Sequence, residues 1–87
     1  MKLMIVIVRD SSGDTVIQTL VSKGYRVTRI ASTGGFLRKG NNTLLLGVQA
    51  EQVDDVIALL RQTCLPQEQE EHKATIFIVD MPYYEQI

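Results

Sequence analysis

The chain has 87 residues and a formal net charge of -1, with 45% hydrophobic and 22% charged residues. This is ordinary globular composition, and a balance so near neutral excludes a general electrostatic attraction to DNA, RNA or an anionic membrane. A single cysteine, Cys64, excludes an internal disulfide framework, and a single histidine, His72, excludes a Cys/His metal cluster within one chain.

Residues 2–9 are nearly continuously apolar and rich in β-branched side chains, which predicts a central strand. The run is too short to span a bilayer, and no small-residue cleavage site follows it, so a cytoplasmic protein is expected. "SSGD" then offers Ser11 or Ser12 as helix N-cap with Asp14 in the first turn. Val16, Ile17, Leu20 and Val21 form a helical stripe closed by Lys23 and Gly24, which predicts a helix over about residues 12–23. "YRVTRIAS" reads as the second strand and "NTLLLGV" as the third, joined as a hairpin by the stretch between them. Val53, Val56, Ile57 and Leu60 mark one face of a second helix over about 51–62, with Glu51, Asp54 and Asp55 near its positive end. "TCLPQEQEEHK" reads as an irregular connection, "ATIFIVDM" as the fourth strand and "PYYEQI" as a tail.

The order β-α-β-β-α-β, with no repeat or linker, predicts a single α+β domain over residues 1–87. Its fold is ferredoxin-like: a four-stranded antiparallel sheet with both helices on one face. The other face of such a sheet ordinarily alternates to polar residues. Here it does not. Leu3, Ile5 and Ile7 are as apolar as Met4, Val6 and Val8, and the third and fourth strands behave alike. A face this apolar predicts burial between subunits of an obligate oligomer. The competing expectation is that the hairpin and the tail cover it locally. A chain of this size buries only about 60–65% of its unfolded surface, so a partner subunit would also supply needed stability.

The hairpin connection holds the chemistry. In "TGGFLRKGNN", paired glycines let successive backbone N–H groups converge on phosphate oxygens. Phe36 beside them can stack on a nucleobase, and Arg26, Arg29, Arg38 and Lys39 can neutralise phosphate. Thr28 and Asn41 bring a hydroxyl and an amide, and Gly47 in mid-strand allows the close approach of a ligand or another backbone. The same residues also make plain turns, with Phe36 as a core plug and the cations solvated. No P-loop or dinucleotide fingerprint is present.

The whole run "YRVTRIASTGGFLRKGNNTLLLGV", with "MKLMIVIVRD" before it, "VDDVIALLRQTC" after it and "ATIFIVDMP" near the end, resembles the P-II-like signal-transduction proteins, most closely their cyclic-di-AMP receptor branch. The resemblance implies a non-catalytic homotrimer of ferredoxin-like subunits that binds cyclic-di-AMP in each inter-subunit cleft and signals to an unidentified protein target. Neither cofactor nor metal is implied. Carried over by position, it implies ligand contacts at Arg26 and Thr28, at Gly35, Phe36 and Leu37 of the loop, at Asn41 and Gly47, and at Phe77 and Gln86. Family members usually carry a long Gly- and Pro-containing insertion before the last strand. Here only "TCLPQEQEEHK" stands there, so contacts made by that insertion have no counterpart.

Two other readings remain. An ATP- and 2-oxo-acid-sensing P-II relative would need cations in the second connection, where "QEQEE" carries three negative charges. A ligand-free protein-interaction module would account for the short connection. An enzyme is not expected. No Ser/His/Asp set or carboxylate pair can be assembled, and Cys64 with His72 reads as a partly buried thiol and a solvated loop histidine. Met1, Met4 and Met81 read as start and core residues, and Tyr83 and Tyr84 as packing of the tail against the sheet, with lining of the cleft near Gln86 as the alternative.

Overall fold

A computed structural model describes residues 1–33, 40–63, 74–83 and 85–87, with backbone only at 31–33. The loop residues Gly35, Phe36, Leu37, Arg38 and Lys39, the connection holding Cys64 and His72, and Tyr84 lie outside the described residues. Five strands and helices open the chain: β1 (Lys2–Arg9), α1 (Asp10–Ser22), β2 (Val27–Thr33), β3 (Asn41–Val48) and, after a single 3-10 turn at Ala50–Gln52, α2 (Val53–Thr63). β4 (Ala74–Asp80) completes them. The four strands form one sheet in the order β2-β3-β1-β4, every neighbouring pair antiparallel. This is the expected ferredoxin-like α+β arrangement.

Strand alternation and helical spacing meet in one core. Met4, Val6 and Val8 of β1 and Leu44, Leu46 and Val48 of β3 point to the same side. They cluster with Val16 and Leu20 of α1 and Val56 and Leu60 of α2, each pair spaced one helical turn apart. Every member is at least 98% buried. Each such side chain contributes about 1.5–3 kcal/mol of burial free energy, which fixes both helices on this face.

The ends of α1 differ from expectation at one side and match it at the other. The helix begins at Asp10, directly after the strand, with Arg9 as N-cap and no side-chain cap. Ser11 and Ser12 therefore lie inside the first turn, where Asp10 supplies the acidic charge. The expectation failed because the first strand needs no turn before the helix: the Asp10 N–H is satisfied by the carbonyl of Gly40, 3.0 Å away across the fold. At the other end Lys23 is the C-cap and Gly24 takes φ +92. The Tyr25 N–H reaches the Leu20 carbonyl and the Gly24 N–H reaches that of Val21, both at 3.0 Å. That pair of bonds requires a left-handed residue, which glycine adopts without a Cβ clash. The second helix begins slightly later than expected, because Ala50–Gln52 make a tighter turn closed by the Gln49 N–H on Gln52 Oε1 at 2.8 Å.

Candidate functional site

The side of the sheet away from the helices carries the residues of interest. Strand pairing lays them in rows. Thr28, Leu45, Ile5 and Phe77 face one another across all four strands, and Gly47, Leu3 and Val79 form the next row. Val27 pairs with Leu46, so Arg26 falls beside Gly47 at the end of that second row. Leu3, Ile5, Ile7 and Leu45 are only partly buried in the single chain, and Phe77 and Val79 are 52% and 47% exposed. The missing alternation noted in the sequence is thus a real apolar face.

The tail crosses one end of it. The Met81 N–H donates to the Met1 carbonyl at 3.0 Å, turning the chain as it leaves the sheet edge. Lys2 Nζ donates to the Asp80 carboxylate beside that turn, which holds the Asp80 carboxyl below its ordinary pKa by hydrogen bond and charge. The Met81 methyl then lies over Gly47, 3.2 Å from where a Cβ would stand. At the far edge Arg26 Nη1 donates to Gln86 Oε1 at 3.0 Å. Between these points Tyr83 donates to Glu85 Oε1 at 2.6 Å, and that bond raises the tyrosine pKa. The tail therefore runs over the Arg26–Gly47 end of the face, touching it at Met81 and Gln86 while Arg26 and Gly47 stay exposed. It leaves Phe77 and Val79 open. Met81 is not a core residue as the sequence suggested; it fills the hollow that Gly47 leaves.

Three of the residues expected to bind ligand thus converge: Arg26, Gly47 and Gln86. Thr28 stands two residues after Arg26, in β2, exposed on the same face. Asn41 opens β3, six residues from Gly47, about 20 Å along the sheet at strand rise. Phe77 is three strands away from Thr28, about 14 Å at sheet spacing. A single chain does not bring Asn41 or Phe77 to the Arg26 end. Gly35, Phe36 and Leu37 are not among the described residues.

Arg29 departs from its expected role as a phosphate ligand. It pairs with Leu44 on the helix-covered side, and its Nη2 donates to Asp14 Oδ1 of α1 at 2.8 Å. A break in register between Arg29 and Ala31 follows immediately. A depression of about 380 Å³ beside this pair is lined by Asp14, Ile17, Gln18, Val27 and Arg29. A second, of about 340 Å³, is lined by Lys23, Tyr25, Asp55, Ala58 and Leu59. Apart from Arg29, neither is lined by a residue expected to bind ligand. Among the described residues no group of three or more His, Cys, Asp or Glu side chains is arranged to hold a metal ion, and no helix is long and apolar enough to cross a membrane.

The family model for cyclic-di-AMP receptors matches residues 1–73. The chain belongs to the cyclic-di-AMP receptor family. The match takes in β1 through α2 and the hairpin connection, and ends just before β4. Phe77 and Gln86 stand beyond it. Among solved structures, a functionally unknown protein from Pediococcus pentosaceus ATCC 25745 is 25% identical, with a TM-score of 0.80 over 99% of this chain and 96% of that one. The receptor family is one of binding proteins, which agrees with the lack of an assembled catalytic set in the sequence.

Proposed function

We propose that this chain is a non-catalytic signalling protein, one ferredoxin-like domain over residues 1–87, that binds cyclic-di-AMP at clefts between the subunits of a homotrimer in the cytoplasm. The observation that carries the reading is the convergence of Arg26, Gly47 and Gln86 at one end of an apolar sheet face, in a chain whose hairpin matches the receptor family. Arg26 offers a guanidinium to a phosphate, in place of the neutral Gln86 amide oxygen it now holds. Thr28 supplies a hydroxyl beside it. Phe36 stacks a base, flanked by Gly35 and Leu37.

The spread of the remaining residues supports a site made by two copies. Asn41 and Phe77 lie some 14–20 Å from the Arg26 end by strand geometry, too far to share one compact ligand within a chain. A neighbour packed on the open face brings its own Asn41 or Phe77 to that end and also buries Leu3, Ile5 and Val79. Signalling follows if the ligand binds two arrangements of the hairpin unequally, so that a protein target distinguishes them.

Calorimetry with cyclic-di-AMP, ATP and cyclic-di-GMP tests the reading. The expected result is saturable heat for cyclic-di-AMP at one site per subunit, with little for the other two. Binding of ATP alone transfers the chain to the ATP-sensing relatives. Silence from all three at micromolar protein leaves an interaction module and removes the receptor reading.

A further inference from the structure

The inward series of β3 is Leu44, Leu46 and Val48, but it begins with an asparagine. Asn42 is only 4% exposed. A buried amide is costly unless its hydrogen bonds are made, and an aliphatic side chain would have served the core better. Asn42 Nδ2 donates to Asp10 Oδ1 at 2.8 Å. Asp10 in turn donates its backbone N–H to the carbonyl of Gly40 at 3.0 Å. One residue at the head of α1 thus grips the chain on both sides of Asn41. Gly13, one turn further along α1, makes the room. A Cβ there would stand 3.1 Å from Asn42 Cγ and 2.5 Å from its Nδ2, the latter a separation that real Cβ atoms do not show. Gly13 has no positive φ, so space and not backbone freedom calls for glycine in the helix.

We infer that Asp10, Gly13 and Asn42 form a latch that anchors Gly40 and holds Asn41 in its binding orientation, making Asn42 a positioning residue for the nucleotide site. Consecutive residues of a strand point to opposite faces. With Asn42 pinned inward, Asn41 is aimed at the open face, and the hairpin's exit is tied to the first helix. The inference rests on the proposed binding function, and deepens it by adding residues that touch no ligand.

A charge exchange tests it. Asn42→Asp alone sets two carboxylates against each other and is expected to weaken cyclic-di-AMP binding by about tenfold or more. Adding Asp10→Asn recreates the same bond in reverse and is expected to restore affinity to within about threefold of the parent. Leu20→Ala, a core change remote from the latch, should lower the melting temperature without that loss of affinity. Unchanged binding by Asn42→Asp, a folded double variant that fails to recover, or equal loss of affinity in Leu20→Ala each overturns the latch. If Asn42→Asp does not fold, Gly13→Ala displaces the amide more gently and must show the same loss. If the unaltered protein binds no nucleotide, the receptor reading fails by itself. The latch is then read from amide exchange at Gly40 and Asn41, faster in Asn42→Asp and restored in the double variant; equal exchange in all three overturns it.

Discussion

Arg26 shows how one exposed side chain can be read twice. In the free chain its guanidinium holds the Gln86 amide oxygen at 3.0 Å. The bond is charged on one side only, and a phosphate in the same place is charged on both. Hydrogen bonds to charged groups contribute about 1.5–3 kcal/mol, against about 0.5–1.5 for neutral pairs. Arg26→Ala should therefore weaken cyclic-di-AMP binding by about tenfold to a hundredfold, and Gln86→Ala by no more than about tenfold. Both residues are exposed, so neither change should move the melting temperature appreciably. Calorimetry beside a thermal melt checks both halves of this. An Arg26→Ala protein that binds like the parent would remove the residue from the site.

At the scale of elements, the junction of β1, β4 and the tail decides where the chain goes after the sheet. Lys2 and Asp80 are directly opposed across the two strands and joined by a hydrogen-bonded ion pair. The lowered pKa of Asp80 means that the folded protein favours its ionised form. The resulting stability is present above the ordinary carboxylate pKa of about 4 and is lost as pH falls through the lowered folded value. The pair is exposed, so the effect is small and screened by salt. Asp80→Asn should be slightly less stable than the parent at pH 7, and the difference should vanish in strong acid. Denaturant melts from pH 7 down to about pH 2 measure it; a difference that grows on acidification would contradict the assigned pair. The same junction directs Met81 over Gly47, so loosening it should expose that end of the face.

At the scale of the whole molecule, one side of the sheet holds two helices and the other holds only a partial strap. Phe77 and Val79 remain about half exposed on an apolar surface that continues through Leu3 and Ile5. The proposed trimer covers this surface. Sedimentation at micromolar concentration should give a trimer, and Val79→Glu, which places a carboxylate on the apolar patch at its β4 edge, should shift it to smaller species. A well-folded single subunit before any substitution would leave the site without its second wall.

The sequence by itself determined the elements and the family. Apolar runs and helical spacing placed β1 and β4 within a residue of their ends, and the Lys23-Gly24 close of α1 was legible because only glycine suits that φ. The TGGFL…GN…T hairpin in its strand context pointed to the receptor family, which the match over residues 1–73 bears out. What the tertiary structure decided was side and neighbour. Pairing with Leu44 in the sheet and with Asp14 of α1 put that cation on the helix side, and no local motif names Asp14 as its partner. The head of α1 took its hydrogen-bond partner from Gly40, thirty positions away, so the serines were not needed as caps. Arg26, Gly47 and Gln86 meet because the tail traverses the sheet, and the inward Asn42 has room because residue 13 is glycine. Periodicity along a chain fixes which residues share a face; which distant residue fills the space above them depends on how the faces close.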